Sequence, residues 1–170
     1  ARPSRREALR RIAFMPQSAS APRNLSVLET VTYLTWMRGA PWSRARQQAR
    51  QALALVDLEK MSDTRCKALS GGMQRRVWLA QALASEADVL LLDEPSTGLD
   101  PRQRQLMLTA LHRAAETGAT IVLSSHVLED VADLADHLVV LTHGTVAFDA
   151  AMSESLDSTW FLDVTDGVRP

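Results

Sequence analysis

Val89-Leu90-Leu91-Leu92-Asp93-Glu94-Pro95 is an apolar run of strand length that ends in two adjacent carboxylates. Open α/β sheets bind their ligands at the carboxyl ends of strands, so this is where reactive groups belong if the run is a buried strand. One carboxylate there can hold Mg²⁺, directly or through water, because that ion prefers a few oxygen ligands and keeps several waters. The next can polarise a water for attack on a phosphate. The same residues also fit a strand followed by a plain acidic turn, and the surrounding sequence has to decide.

Immediately upstream, Leu69-Ser70-Gly71-Gly72-Met73-Gln74-Arg75-Arg76 opens a helix that should run to about Ala84. Two glycines let a phosphate approach the backbone, Ser70 offers a hydroxyl, and a helix N-terminus presents free N–H groups. This reads as an anion site without a lysine or, equally, as a Gly-rich helix start. Further back, Ile12–Met15 reads as a short strand ending at Pro16-Gln17, followed by a loop over Ser18–Asn24. Ser26 and Glu29 form a capping box for a helix to about Arg38, with Val27, Leu28, Val31, Leu34 and Met37 as its apolar stripe. Gly39 and Pro41 stop it. A second helix fits Ser43 to Val56, striped by Ala45, Ala49, Ala52, Leu53 and Val56, and Asp57 to Ala68 is a connector.

Downstream, Asp100 caps a helix with Pro101 at its first position, and Gln103 completes a capping pair. That helix ends at Thr117-Gly118, Thr120–Ser124 is a strand, and after His126 a helix runs from Val127 to about Ala135. His137–Thr142 and Thr145–Asp149 form a hairpin about His143-Gly144, and the tail from Ala150 is acidic and weakly patterned. Strands alternating with helices predict an α/β layered fold with parallel strands.

The 170 residues suffice for one ordinary domain, and 46% hydrophobic with 23% charged residues is the balance of a folded globular chain. A net charge of −1 excludes a uniformly basic nucleic-acid binder, and one cysteine, Cys66, excludes an intramolecular disulfide and suits a reducing compartment. No apolar run approaches the ~18 residues of a membrane span. The charge is unevenly divided: residues 1–60 hold 11 Lys and Arg against 4 Asp and Glu, or +7, and residues 61–170 hold 8 against 16, or −8. The basic half reads as a solvated Arg-rich surface or as a docking face for a partner.

Taken together, these segments resemble the ATP-binding subunit of ABC transporters over roughly residues 10–150. Leu69–Met73 is similar to that family's signature motif, Val89–Glu94 to Walker B with its glutamate, and Ser96–Asp100 to the D-loop. Ser124-Ser125-His126 resembles the switch-histidine motif and Met15-Pro16-Gln17 the Q-loop, all in the family's order. Leu25–Glu29 and Gly71–Arg75 look most like export-type bacterial cassettes. The resemblance implies ATP and Mg²⁺ as ligands. It implies Asp93 as a holder of Mg²⁺ through water, Glu94 as general base or water-positioning group, and His126 as a contact to the γ-phosphate and the attacking water. Gln17 would sense the γ-phosphate and Mg²⁺ and link to the membrane partner. Ser70, Gly71 and Gly72 would contact nucleotide held by a second ATPase subunit in a head-to-tail dimer, with Asp100 working across that interface.

One family element does not occur in these residues. The Walker A loop, G-x-x-x-x-G-K-[ST], is absent: Lys60 precedes Met61, Lys67 precedes Ala68, and no pair of the seven glycines makes the loop. The chain is therefore expected to be either an N-terminally truncated piece, the favoured reading, or a degenerate cassette, with a partial P-loop NTPase core and no activity by itself. It would comprise the end of the N-terminal core with the Q-loop (1–17), a helical signature subdomain (18–84), α/β core (85–150) and a tail (151–170). The parent would hydrolyse ATP on the cytoplasmic face of the membrane to drive a separate transmembrane permease subunit, with no nucleic acid as partner. The alternatives are a soluble ABC-type ATPase acting on ribosomes or DNA and a non-catalytic regulatory half-cassette. The 52 residues between Gln17 and Ser70 are too few for the coiled-coil arm usual in DNA-repair members.

Overall fold

The computed structural model of the chain describes Ser4, Glu7, residues 10–18 and residues 21–155. In chain order the elements are β1 (Ile12–Met15), α1 (Val27–Met37), α2 (Trp42–Leu55), α3 (Gly71–Ala84), β2 (Val89–Asp93), α4 (Pro101–Glu116), β3 (Thr120–Ser124), α5 (Leu128–Leu134), β4 (His137–Thr142), β5 (Thr145–Ala151) and α6 (Met152–Ser155). The chain divides into two compact units between His126 and Val127.

In the first unit β1, β2 and β3 form a parallel sheet in that order, with Ala13 opposite Leu90 opposite Ile121 and Phe14 opposite Leu91 opposite Val122. The period of two sends Ala13, Met15, Leu90 and Leu92 to one face, where they are buried. Ile12, Phe14 and Val122 lie exposed on the other face. The three segments expected to carry function, Gln17, Asp93-Glu94 and His126, follow the carboxyl ends of β1, β2 and β3, as a parallel sheet requires.

Helices α1, α2 and α3 pack on one another. At the start of α1 every early donor is used. Glu29 N–H reaches Ser26 Oγ at 3.2 Å and Ser26 N–H reaches Glu29 Oε2 at 2.7 Å. Val27 and Leu28 donate to Thr64 O and Ser62 O of the connector, each at 3.0 Å. The bond from the Ser26 backbone holds the Glu29 carboxyl below its ordinary pKa. The small stripe of α2, with Ala45, Ala49, Ala52 and Leu53 all buried, lets its neighbours approach closely. The C-terminus of α2 is closed by buried Arg76 of α3, which donates to Val56 O at 2.9 Å and Asp57 O at 3.2 Å and so places a cation where the helix dipole favours one.

Four expectations need correction. Met37 is exposed rather than part of the α1 core, because the buried arc centres on Val27, Val31 and Thr35 and Met37 falls past its edge, on the side of Tyr33 and Trp36. Asp100 caps α4 by accepting from Gln103 N–H at 2.8 Å, but the Gln103 side chain turns to Gly72, where its Oε1 lies 2.7 Å from where a Cβ would stand. The connector is not featureless: Glu59–Met61 and Cys66–Ala68 are single turns of 3-10 helix. The tail begins later than Ala150, since β5 continues to Ala151 and α6 follows, while residues 156–170 lie outside the described ones.

The second unit is the β4–β5 hairpin with α5 and α6. His143 (φ +50°) and Gly144 (φ +79°) take the two left-handed positions of its turn. A register shift falls between Val140 and Leu141, and His137 Nε2 lies 2.6 Å from Asp149 Oδ1.

Candidate active site

Glu94 follows β2 with φ +49°, a conformation that costs a residue with a Cβ about 1–2 kcal/mol and persists only where neighbours hold it. The holders come from three directions. Its N–H donates to Ser124 Oγ at 3.0 Å and Ser124 O at 3.2 Å at the end of β3. Its carbonyl accepts from Arg75 Nη1 of α3 at 2.5 Å and from Thr97 N–H at 3.3 Å. Its side chain, only 17% exposed, is bonded through Oε2 to Thr97 Oγ1 at 3.1 Å and to His126 Nδ1 at 2.7 Å. An ionised carboxylate only accepts, so Nδ1 of His126 carries the proton and Nε2 is the nitrogen free to face a reactant. Among the described residues no donor reaches Glu94 Oε1, the oxygen left to meet a water.

Asp93 is the last residue of β2, and its Oδ1 accepts from Ser124 Oγ at 2.7 Å. One hydroxyl therefore orients both carboxylate residues, donating to Asp93 and accepting from the Glu94 peptide. Among the described residues no cluster of three or more His, Cys, Asp and Glu could hold a metal ion. An Mg²⁺ ion does not need one, since it is commonly bound by one or two carboxylates together with substrate phosphates and water. Asp93, a hard oxygen donor at a strand end with only one of its oxygens taken among the described residues, fits that use.

Gln17 is exposed just beyond β1, and its carbonyl accepts from Arg75 Nη2 at 2.6 Å. It lines a cleft of about 320 Å³ together with Gly71, Gln74 and Trp78. Ser70 is the N-cap of α3 and accepts from Met73 N–H at 3.3 Å, which leaves its own O–H free to donate to an anion. The two signature glycines differ: a Cβ on Gly71 would meet nothing within 4 Å, whereas Gly72 is backed against its own chain at Gln103. Asp100 is exposed, and its side chain is engaged in capping.

The structure thus joins Glu94, Asp93 and His126 in one bonded group and ties Gln17 to it through Arg75. Ser70, Gly71 and Asp100 stand on exposed helix starts nearby in the chain path and make no bond to that group. The sequence reading gave no role to Ser124, Thr97 or Arg75. A hydroxyl two residues before a strand-end histidine was the available sign for Ser124, but nothing local separates Arg75 from Arg76.

The sequence profile of the ABC transporter family matches residues 1–97. Among curated relatives, Nod factor export ATP-binding protein I of Burkholderia orbicola is 35% identical over 169 residues, covering 99% of this chain and 56% of that protein. Daunorubicin/doxorubicin resistance ATP-binding protein DrrA of Streptomyces peucetius is 34% identical over 145 residues, covering 85% of this chain and 44% of that protein. The chain spans about half the length of these relatives. A dimeric bacterial ABC transporter cassette superposes with a TM-score of 0.76 at 25% identity, over 84% of this chain and 63% of that one. The ATP-binding subunit of another ABC transporter shares the fold, with a TM-score of 0.77 at 24% identity over 85% of this chain and 60% of that one.

Proposed function

The chain belongs to the ABC transporter family, and from that membership we propose that its parent protein binds ATP and hydrolyses it to ADP and phosphate to power export through a separate membrane subunit. The observation that carries the reading is the Glu94 carboxylate, fixed through Oε2 by Thr97 and His126 with Oε1 left open, beside Asp93 at the carboxyl edge of a parallel sheet. In the reaction Glu94 takes a proton from a water as the water oxygen bonds to the γ-phosphorus and the bond to the bridging oxygen of ADP breaks. His126 keeps Nδ1–H on Glu94. When its ring is protonated, Nε2–H can donate to a phosphate oxygen. Asp93 and the side-chain oxygen of Gln17 would hold Mg²⁺, which when bound offsets phosphate charge. The phosphate-cradling loop, whose pattern these 170 residues lack, belongs in this reading to another part of the parent.

Ser70, Gly71 and Gly72 complete the nucleotide pocket of a second ATPase subunit in a head-to-tail pair, with Asp100 at the interface. The open space over Gly71 and the free Ser70 proton support this, as does the dimeric cassette among the similar structures. Docking to the permease is supported by an exposed aromatic group on α1 and α2. Tyr33 and Trp36 ring centroids lie 5.7 Å apart, Trp36 and Trp42 6.0 Å apart, and Met37 is exposed beside them. The arginines of this region contribute less than their number suggests. Arg38 donates to Arg10 O and Ile12 O, and Arg44 and Arg65 pair with Glu86 and Glu29. The protein would act at the cytoplasmic face of the membrane as a peripheral subunit. No helix among the described residues is long and apolar enough to cross a membrane.

Glu94→Gln in the complete subunit tests the central claim. Carboxamide keeps the shape and is a poor base, so ATP binding persists while turnover falls ~10²–10⁴-fold. Turnover within a factor of two of the parent's refutes the assignment.

A further inference from the structure

Arg75 and Arg76 are adjacent on α3 and point to different tasks. Arg76 is buried on the carbonyls that end α2, whereas the Arg75 guanidinium spans two carbonyls from the ends of different strands. Its Nη1 donates to Glu94 O at 2.5 Å and its Nη2 to Gln17 O at 2.6 Å. A planar guanidinium can bridge two fixed acceptors in this way, and hydrogen bonds from a charged donor are stronger than those between neutral groups. The Glu94 carbonyl is also one end of a residue held at φ +49°, whose other end is pinned by Ser124. Among the described residues, Arg75 is the only charged donor bonded to the Glu94 backbone.

We propose that Arg75 is a positioning residue for hydrolysis. Its fork fixes the Glu94 peptide, and with it the direction of the carboxylate, and locks that peptide to the Gln17 backbone. The helix that begins at Ser70, the segment after β1 and the base then share one register. A shift of α3 pulls on the base through Arg75, so whatever engages the Ser70 end is felt at Glu94. The inference rests on the reading of Glu94 as the base. Lysine cannot reproduce it, because a single ammonium does not span both carbonyls in one plane.

The test uses the complete subunit assembled with its membrane partner, with ATP·Mg²⁺ as substrate. Arg75→Met lowers kcat on the order of 10²-fold, the scale of a small misplacement of a reacting group, while KM for ATP stays within about twofold, as expected of a residue that acts on the base and not on the substrate. Arg75→Lys recovers only part of the loss. On a Glu94→Gln background Arg75→Met lowers the residual rate by less than about twofold, because the two act as one unit. Amide exchange in the absence of nucleotide gives a readout independent of turnover: protection falls over residues 93–98 and is unchanged over residues 27–37. If Arg75→Met does not fold, Arg75→Gln, which keeps one donor group, is measured in the same way. A kcat above half of the parent's in either variant, where Glu94→Gln is dead, overturns the role of Arg75 and leaves the base assignment standing. A tenfold rise in KM at unchanged kcat also overturns it, since Arg75 would then be a nucleotide contact. An active Glu94→Gln variant instead removes the reading on which the inference rests.

Discussion

Helices α1–α3 pack an apolar face of each into a shared core and satisfy their ends, while Tyr33, Trp36, Met37 and Trp42 stay exposed on α1 and α2. Val27, Val31, Ala45, Ala49, Leu53 and Leu79 are buried, Ser26 and Ser70 cap their helices, and Arg76 closes the end of α2. The sheet of β1–β3 does this on one face only. Ala13, Met15, Leu90 and Leu92 are buried there, but on the other face Phe14 and Val122 are 53% and 54% exposed, in register with Leu91 between them. Among the described residues the outer edge of β3 is also unpaired. The groups proposed to carry the chemistry, Asp93, Glu94 and His126, sit at the end of the sheet and not in the helical part. The helices thus share a core and close their own ends, whereas the sheet leaves one apolar face open beside the proposed site.

The largest expected effect follows directly. The 170 residues alone should fold their helices yet neither bind ATP·Mg²⁺ with the affinity of a complete cassette nor hydrolyse it measurably. In a P-loop NTPase most phosphate contacts come from the loop backbone and its lysine, and Asp93 with Glu94 present two negative charges to a polyanion. Titration calorimetry and a phosphate-release assay decide the point. Tight binding with turnover would break the comparison, because the sheet region would then be complete as it stands.

The next effect tests the closed region. Arg76→Met removes two charge-assisted bonds at the end of α2 and strands the Val56 and Asp57 carbonyls. It should cost about 2–3 kcal/mol in urea unfolding. A loss below about 0.5 kcal/mol would mean that the helical part is held by packing alone.

The two arginines also show what a sequence can and cannot carry. The caps at Ser26 and Asp100, the helix start at Ser70-Gly71, the hairpin turn at His143-Gly144 and all five strands were legible because each depends on neighbours within a few residues. The order of Gln17, Asp93-Glu94 and His126 along the chain was legible too, since parallel strands bring their carboxyl ends together whatever lies between. The bonds that fix the site were not. Ser124 meets Asp93 only through the β2–β3 register, and Arg75 meets Gln17 only through the position of α3 over two strand ends. Met37 failed for a related reason, since helical spacing gives a stripe but not which part of it a neighbour covers.

A smaller effect lies at the start of α1. Ser26→Ala removes one half of a reciprocal cap and should cost about 1 kcal/mol. The Glu29 carboxyl, held below its ordinary pKa chiefly by the Ser26 backbone N–H, makes the other half dependent on pH. A depressed native pKa means stability that is present above the unfolded pKa and lost as pH falls through the native one, so Glu29→Gln should flatten that acid limb. An unchanged acid limb in Glu29→Gln would assign it to other carboxylates.

The smallest effect is the most direct reading of the bare sheet face. Phe14→Thr and Val122→Thr keep a residue suited to strands while removing apolar surface that water already touches. In the 170-residue chain each should change stability by no more than about 0.5 kcal/mol, as surface substitutions do, and should reduce both dye binding to exposed apolar surface and aggregation. Leu90→Thr, one position along on the covered face, places an unpaired hydroxyl in a core position and should cost several-fold more. The asymmetry should reverse in the complete parent: if further chain covers Phe14 there, Phe14→Thr should cost about 2 kcal/mol, the worth of a buried aromatic side chain. Equal costs for Phe14→Thr in the short chain and in the parent would mean that the face stays open to solvent in both, and that closing the sheet is not what the rest of the protein contributes.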